Sequence, residues 1–410
     1  MARMFPHFGG WPGSEGYAQI AWNLSHRGLF SADGTAATTE RMPLYPMILA
    51  ALMRLAGGGW RPWAAVMNAL ALAASAGIAT RLCNRLYSNP RATWACALLL
   101  ALHVAWTAEA LALRETVWFA LAVIGLASVL TTQPIPPGRL IAAGALAGAA
   151  YLLRPTGFLL IGLFPIWLWA VRSDLPRPLV PPVALALALA GLAVGSWQSY
   201  SIRATGQLQI SDSEGGITAF KGAIPEFWVA EPWVDLDLLN PLADERARLA
   251  GARSLPERDR YWRDEAVRTI RDDPAQWIAK GFLKVAELLS PVGTPFGYGR
   301  INSTGGSSRL EGFRWDPWTF ASVPSAVLIL GGAVRRMSRW RALPGPERSL
   351  AEMAAILLAL LCLVHAATSG ETRFRLPFDP LLAVLAAPSA AGLWAGAARR
   401  LRGRPATADR

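Results

Sequence analysis

Residues 116–130 read TVWFALAVIGLASVL and contain no charged side chain. Trp63–Ala79, Val183–Trp197 and Leu376–Ala395 are similarly rich in apolar residues. About 20 such residues cross roughly 30 Å of hydrocarbon, so these stretches have the composition and approximate length of transmembrane helices. Of all 410 residues, 53% are hydrophobic and 17% are charged, whereas soluble domains carry about 25% charged residues. The pattern predicts an all-α polytopic membrane protein and excludes a soluble domain with a single anchor.

Arginines flank the apolar runs and predict how the chain crosses the membrane. About nine transmembrane segments are predicted, near residues 62–83, 92–106, 109–131, 139–153, 155–171, 179–201, 319–334, 350–367 and 376–396. The basic clusters between these segments then fall on one side, which is predicted to be cytoplasmic because cytoplasmic loops carry the excess of Lys and Arg. The extracytoplasmic side receives residues 1–61, 107–114, 153–156, 202–318 and 368–374.

This topology divides the chain into five parts. They are an extracytoplasmic first loop with interfacial helices (1–61), a transmembrane bundle (62–201), an extracytoplasmic loop subdomain (202–318), C-terminal transmembrane helices (319–396) and a cytoplasmic basic tail (397–410). Met1–Gly10 has neither the basic nor the apolar region of a signal peptide, so the chain would start outside with no helix before it. We therefore expect that a first transmembrane helix either lies upstream or was lost.

Local patterns refine the extracytoplasmic parts. Pro43–Gly57 is apolar but short, which predicts an interfacial or re-entrant helix rather than a span. Residues 202–318 mix acidic and basic side chains, as folded and solvated subdomains do. Within them, an amphipathic helix is predicted over Pro256–Asp273 and a second helix from Pro274. Gly297–Ser308 is rich in Gly and Ser and is predicted to be a mobile loop.

Composition also limits the partners. The formal net charge is +12, but arginines at the ends of apolar runs are accounted for by topology and anionic lipids, so the lipid bilayer and not nucleic acid is the expected partner. The three cysteines show no CxxC spacing and the four histidines no HExxH pair, so neither a disulfide scaffold nor a zinc site is indicated. Three lysines against 37 arginines are typical of a GC-rich bacterial genome, which predicts the bacterial inner (plasma) membrane.

Charged residues at the predicted outer boundary are the first candidates for chemistry, because a charge in or near the membrane is costly and usually functional. Glu109 and Glu115 lie beside or within the apolar stretch 92–131, with Arg114 adjacent to Glu115. They form either an interfacial group whose charged ends reach water, or a site in which Glu115 faces a cavity that holds a polar substrate. Arg154 lies between two apolar runs, before a proline, and is either a phosphate ligand or an ordinary interfacial arginine.

A second charge cluster precedes the last predicted span. Glu371, Arg373 and Arg375 lie in the sequence GETRFRLP, on the outer side, where the positive-inside rule does not require arginines. A phosphate or another anionic head group would satisfy both guanidinium groups. The alternative is an internal salt bridge with Glu371.

The N-terminal sequence, together with these clusters, resembles a known family. GSEGY (13–17) precedes an amphipathic stretch, then GLF (28–30) and ERMPLYP (40–46). In this order, with Glu115-Thr116, Arg154-Pro155, Pro274 and the 371–377 motif, the pieces resemble the polytopic glycosyltransferases of the GT-C fold. That class includes the dolichyl-phosphate-mannose protein mannosyltransferases and the bacterial aminoarabinose transferases.

The resemblance implies an inverting transfer of a sugar from a polyprenyl-phosphate donor to an extracytoplasmic acceptor, which is a lipid, glycan or protein. It implies Glu15 and Glu115 as catalytic carboxylates, and Arg154, Arg373 and Arg375 as donor-phosphate ligands. Tyr17, Arg41, Tyr45, Glu109 and Glu371 would support the site, with the two tyrosines packing rather than reacting. No cofactor is certain, and a divalent metal is compatible with two acidic residues but not required.

The sequence departs from the family pattern at one position. The family has an aspartate four residues before the tyrosine, where this chain has Gly13, and Glu15 is the nearest acidic residue. Glu15 therefore either replaces that aspartate or the chain is a poor or inactive enzyme. The alternative functions are a non-catalytic protein that binds lipid-linked sugars or organises envelope assembly, and a transporter.

Overall fold

The computed structural model describes residues 16–131, 136–170, 180–209, 211–213, 215–224, 239–291, 298–304, 307–314, 321–368 and 372–402. The described part of the first half of the chain consists mainly of helices. They are α1 (Tyr17–Arg27), α2 (Leu44–Ala56), α3 (Trp60–Tyr87), α4 (Pro90–Ala101), α5 (Val104–Leu111), α6 (Thr116–Leu130), α7 (Pro137–Leu153), α8 (Phe158–Ala170) and α9 (Val180–Thr205).

The second half contains the extracytoplasmic subdomain of the predicted topology and the last apolar helices. Its elements are α10 (Gly215–Ala223), α11 (Asn240–Leu249), α12 (Leu255–Asp272), α13 (Pro274–Leu288), β1 (Tyr298–Thr304), β2 (Ser307–Arg314), α14 (Val323–Met337), α15 (Gly345–Ala367), α16 (Thr372–Arg375) and α17 (Asp379–Arg402). The described fold is therefore all-α apart from one antiparallel hairpin, in which Asn302 pairs with Arg309.

The chain is a multi-pass membrane protein, but the helices are less uniform than the nine predicted segments. In the described part of the chain, four helical runs are long and apolar enough to cross a membrane: Leu44–Tyr87, Val180–Thr205, Gly345–Ala367 and Arg373–Ala398. A fifth is obtained if α4 and α5, which meet at 52°, count as one broken span. The other apolar helices are short. At 1.5 Å per residue, α6 with its 15 residues is about 22 Å long.

The prediction of two unbroken segments at 92–106 and 109–131 is wrong. The structure has three helices there, α4, α5 and α6, with breaks at Leu102–His103 and at Ala112–Glu115. Both breaks contain polar side chains that bind inside the protein, and the imidazole of His103 lies 2.8 Å from a buried carboxylate of Asp379. Hydropathy alone does not reveal these breaks, because most of the flanking residues are apolar.

Small residues allow α7 and α9 to pack closely. A methyl group at Gly144 of α7 would lie 2.1 Å from the carbonyl oxygen of Ala186 in α9, and one at Gly148 would lie 3.0 Å from Cβ of Ala193. Glycines spaced by four residues on one helix face permit such backbone approach in membrane helix pairs. This contact fixes the position of the C-terminal end of α7, where Arg154 follows.

The two predicted helices of the loop subdomain are confirmed as α12 and α13. Ser254 and Glu257 form a capping box at the start of α12, and the hydrogen bond from the Ser254 backbone is the main reason why the pKa of Glu257 is lowered. Asp273 caps α13 by accepting from the Gln276 amide at 2.9 Å. Trp262 of α12 and Phe220 of α10 belong to a small separate core.

The prediction of a mobile loop at Gly297–Ser308 is wrong where the structure describes it, because residues 298–304 and 307–314 form the hairpin β1 and β2. Gly299, Ser303, Ser307 and Ser308, which suggested a loop, lie in the two strands. The five-part division of the chain stays a prediction, as does the interfacial position of α2, which is 13 residues long.

Candidate active site

A cavity of about 290 Å³ lies at one end of the helix bundle. Its lining comes from all five segments that the predicted topology places on the extracytoplasmic side or at its boundary. The lining residues are Tyr17, Arg41, Glu115, Arg154, Pro155, Thr156, Ser211, Asp212, Gly215, Thr218, Lys221, Val364, His365, Thr368, Arg373 and Phe374. Segments far apart in sequence therefore meet at a single polar site.

A buried ion pair between Glu115 and Arg154 forms the centre of this cavity. The Nε atom of Arg154 lies 3.1 Å from Oε1 of Glu115, and the two residues are 9% and 3% exposed. Oε2 of Glu115 and Nη1 of Arg154 are buried, and within the described part of the chain neither has a hydrogen-bond partner. A buried polar atom without a partner is costly, so the pair has one acceptor and one donor available for a ligand.

The local sequence explains why these two residues meet. Glu115 immediately precedes α6, and Arg154 immediately follows α7, which packs against α6. Pro155 disfavours helical geometry at the residue before it, and Arg154 has the extended angles φ −152° and ψ 139°. Gly157 completes the turn, because a Cβ there would lie 2.4 Å from the Ala150 carbonyl carbon.

Aromatic rings fix the plane of the Arg154 guanidinium. Its Cζ lies 5.0 Å from the ring centroid of Phe374 and 5.9 Å from that of Phe119. The Phe374 ring also lies 5.1 Å from Cζ of Arg373 and stacks on the His365 imidazole, with centroids 4.4 Å apart. Phe374 is therefore a common contact of three side chains that line the cavity, and cation–π attraction holds both guanidinium groups beside it.

The N-terminal motif contributes the opposite wall. Tyr17 and Arg41 line the cavity, and Cζ of Arg41 lies 5.3 Å from the Tyr17 ring centroid. The Tyr17 ring packs edge-on against the buried Tyr45, whose hydroxyl accepts a hydrogen bond of 3.2 Å from the Asn68 amide. Tyr45 thus supports the wall from behind and is not among the lining residues.

Arg375 does not join this site, which corrects its assignment as a phosphate ligand. It is fully buried, and its Nε donates to Asp379 at 3.0 Å. Nη1 donates to the carbonyl oxygens of Leu288 at 3.0 Å and Ser290 at 2.7 Å, and Nη2 donates to the other Asp379 oxygen at 3.4 Å. Four of its five N–H groups have protein acceptors, so Arg375 joins α17 to the end of α13. The GETRFRLP motif thus has two functions, with Arg373 at the cavity and Arg375 in the core.

The interpretation of Glu109, Glu115 and Arg114 as an interfacial group that reaches water is wrong. Glu109 is 2% exposed and Arg114 is 8% exposed, and their side chains lie 3.7 Å apart at the closest N–O approach. Glu109 is not among the residues that line the cavity. It is a buried carboxylate on α5, next to the break that places Glu115.

Glu15, Glu371 and Gly13 lie outside the described residues.

Several lining residues were not identified from the sequence. Lys221 is buried and donates to Oδ1 of Asn240 at 2.8 Å, and Asp212 and His365 also line the cavity. The sequence did contain one signal for Lys221, because lysine is rare in this chain and occurs only at positions 221, 280 and 284. All three lysines are buried in the structure. Asp212 and His365 carry no such signal, because the loop and helix around them have ordinary composition.

Positive charge dominates the described lining. It contains four cationic side chains, Arg41, Arg154, Lys221 and Arg373, and two carboxylates, Glu115 and Asp212. The low-dielectric surroundings strengthen the attraction of this excess for an anion. Among the described residues, no group of three or more His, Cys, Asp or Glu side chains is arranged to hold a metal ion.

No protein-family description matches the chain, and no curated protein matches it. Solved structures with a similar arrangement include ArnT from Cupriavidus metallidurans bound to undecaprenyl phosphate. It is 16% identical, with 94% of this chain and 74% of that chain covered and a TM-score of 0.40. Another is the archaeal oligosaccharyltransferase AglB from Archaeoglobus fulgidus, in complex with an inhibitory peptide and a dolichol-phosphate. It is 12% identical, with 98% of this chain and 49% of that chain covered and a TM-score of 0.49.

This chain spans about half the length of AglB. ArnT and AglB are both glycosyltransferases of the GT-C fold, the class that the sequence motifs resemble. The likeness concerns the arrangement of helices and assigns no activity to this chain.

Proposed function

We propose that this protein is a membrane glycosyltransferase that moves a sugar from a polyprenyl-phosphate donor to a hydroxyl group of an extracytoplasmic acceptor. The observation that carries the proposal is the buried Glu115–Arg154 pair with one unpartnered atom on each side chain, in a cavity with an excess of cations. The unpartnered N–H suits a phosphate oxygen, and the unpartnered carboxylate oxygen suits a hydroxyl group.

The cations fit the leaving group of this reaction. As the bond between the anomeric carbon and the phosphate oxygen breaks, negative charge grows on the phosphate. Guanidinium groups held in place before the reaction stabilise that charge without reorganising. Arg154 is fixed by Glu115 and two aromatic rings, and Arg373 lies on the same Phe374 ring. Lys221 and Arg41 add charge from two other walls of the cavity.

The carboxylates fit the acceptor half of the reaction. The acceptor oxygen forms the new bond to the anomeric carbon, its proton passes to a carboxylate, and the polyprenyl phosphate leaves. One displacement of this kind inverts the anomeric centre. We assign Glu15 as the proposed base, since it precedes Tyr17 by two residues in the chain. Glu115 is the second acidic residue, and its Oε2 atom accepts a hydrogen bond from a substrate hydroxyl.

The position of the cavity suits a donor with a lipid tail. The lining residues lie at or just beyond the ends of α6, α7 and α15, so a phosphate in the cavity is at the end of the apolar bundle. A polyprenyl chain then extends along apolar helix surfaces while the sugar stays among polar groups. We propose a site that faces the outside of the bacterial inner membrane, in accordance with the arginine distribution.

A transfer assay tests the proposal. The purified protein is incubated with a pool of bacterial polyprenyl-phosphate sugars and envelope acceptors, and sugar transfer is measured for wild type, Glu115→Gln and Glu352→Gln. Glu115→Gln keeps the size of the side chain but removes its charge, so we expect transfer to fall by at least about 100-fold. Glu352 forms an exposed pair with Arg348, so its variant should retain wild-type activity.

Two further measurements, carrier binding and carrier movement in proteoliposomes, distinguish the alternative functions. A scaffold or lipid-binding protein would bind the carrier without transfer, and Glu115→Gln would leave that binding unchanged. A transporter would move the carrier between leaflets of proteoliposomes without cleaving it. Carrier turnover that is equal in wild type and Glu115→Gln would contradict the assignment of this cavity.

A further inference from the structure

A second cavity lies at the other end of the bundle, between α3, α6 and α7, with a volume of about 390 Å³. Three of its lining residues are arginines, Arg81 and Arg85 from α3 and Arg139 from α7. Arg139 and Arg154 lie at opposite ends of α7. They are 15 residues apart, which is about 22 Å along the helix axis. This arginine groove (Arg81, Arg85 and Arg139) is therefore separate from the proposed active site.

Three arginines give the arginine groove a positive character. Arg81 and Arg85 are four residues apart, so they lie on one face of α3, towards Arg139. No carboxylate is among the described residues that line the groove. The Nη1 atom of Arg139 is buried and, in the described part of the chain, has no hydrogen-bond partner. A phosphate group satisfies this Arg139 donor and places a negative charge beside the other two arginines.

Apart from Ser128, the other residues that line the groove are apolar, which favours a lipid over a free phosphate ion as the ligand. Leu121 and Val129 of α6 and Leu146 of α7 line it. Gly125 of α6 lies close to the Leu146 side chain, since a Cβ there would be 3.4 Å from Leu146 Cδ1. Contact with this apolar wall removes the surface of acyl chains from water, which is favourable. A free phosphate ion obtains no such stabilisation from the wall.

We propose that the arginine groove binds the headgroup phosphate of an anionic phospholipid, with its acyl chains along the apolar wall. The groove lies at the bundle end that the arginine distribution predicts to be cytoplasmic. The cytoplasmic leaflet carries anionic lipids that attract basic groups. The lipid would hold α3, α6 and α7 together at the end opposite the active site.

Lipid titration of the purified protein tests this proposal. Delipidated protein in neutral detergent is titrated with dioleoylphosphatidylglycerol, and the shift in unfolding temperature and the phospholipid retained per protein are measured. The variants are Arg139→Ala, Arg81→Ala and the control Arg91→Ala, which removes an exposed arginine from the start of α4. Arg81 is also exposed, so its replacement leaves the packing of the bundle unchanged.

We expect saturable binding of about one phosphatidylglycerol molecule, weakened at least tenfold in Arg139→Ala and Arg81→Ala and less than twofold in Arg91→Ala. Phosphatidylcholine and inorganic phosphate should not compete at equal concentration. Equal weakening by all three variants would show attraction to net charge only and overturn the proposal. Competition by inorganic phosphate, or displacement of the lipid by undecaprenyl phosphate, would overturn it by identifying a different occupant.

Discussion

Phe374 is the side chain on which the site depends most at the scale of single residues. Its ring contacts the guanidinium groups of Arg154 and Arg373 and the imidazole of His365. The sequence motif marked this position only as an aromatic residue between two arginines. The side chains that this ring contacts depend on the path of the chain around α16. Sequence spacing does not predict that path.

Replacing Phe374 with leucine should weaken donor binding. Leucine fills much of the same volume but has no π-face, and each cation–π contact contributes about 0.5–2 kcal/mol. We expect the donor KM to rise roughly 5- to 30-fold with a smaller change in kcat. Phe374→Tyr keeps the ring and should restore the wild-type KM. Steady-state kinetics at varied donor concentration measure KM and kcat separately for each variant. An unchanged KM in Phe374→Leu would show that the ring does not position the arginines.

At the scale of elements, the two arginines of α16 have different roles. Arg373 lines the cavity, whereas Arg375 lies in the core against Asp379, whose other partner is His103. Position along a short helix decides this, because residues two apart on a helix point to different faces. The sequence predicted that the motif matters but did not separate the two roles.

Arg375→Met should destabilise the fold rather than remove a phosphate contact. It removes the guanidinium group from the buried Asp379 carboxylate, and breaking a buried ion pair costs about 3–5 kcal/mol. The unfolding temperature of the detergent-purified protein measures this loss. Arg348→Met, which breaks an exposed pair with Glu352, is the matched control and should cost less than about 1 kcal/mol. Unaltered unfolding of Arg375→Met with loss of carrier binding would restore the assignment of Arg375 as a phosphate ligand.

The boundaries of the helices show which parts of the fold hydropathy can predict. Each predicted span corresponds to a helix or, for 92–106 and 109–131, to a broken series of helices. The paired helices α12 and α13 follow directly from capping residues and prolines. The breaks around His103 and Glu115 cannot be predicted from local sequence. They are stabilised by contacts with α17 and with the end of α7, which are far away in sequence.

At the scale of the whole molecule, five segments that share one predicted side of the membrane meet in one cavity. The sequence could predict this common location, because the arginine distribution sorts loops by side. It could not predict Lys221, Asp212 and His365 as lining residues, since that depends on how α10 and α15 pack over the bundle. The departure at Gly13 lies outside the described residues, so the role of Glu15 stays a prediction.

The charge of the cavity also bears on metal dependence. Four cationic side chains line it, and in the proposed reaction they supply the charge that neutralises the departing phosphate. We expect the rate of sugar transfer to change less than twofold in excess EDTA or after addition of Mg²⁺ or Mn²⁺. Loss of transfer in EDTA, with recovery on addition of one of these ions, would show instead that Glu115 and Asp212 contribute to a metal site.

Native mass spectrometry of the purified protein with undecaprenyl phosphate tests the central claim most directly, because it reports carrier binding without requiring the acceptor to be known. Wild type should retain one carrier molecule. Arg154→Ala removes the guanidinium beside Glu115 and should weaken this binding at least tenfold, while the exposed-site control Arg348→Ala should bind like wild type. Equal retention of the carrier by all three proteins would contradict the assignment of the Glu115–Arg154 cavity as the donor site.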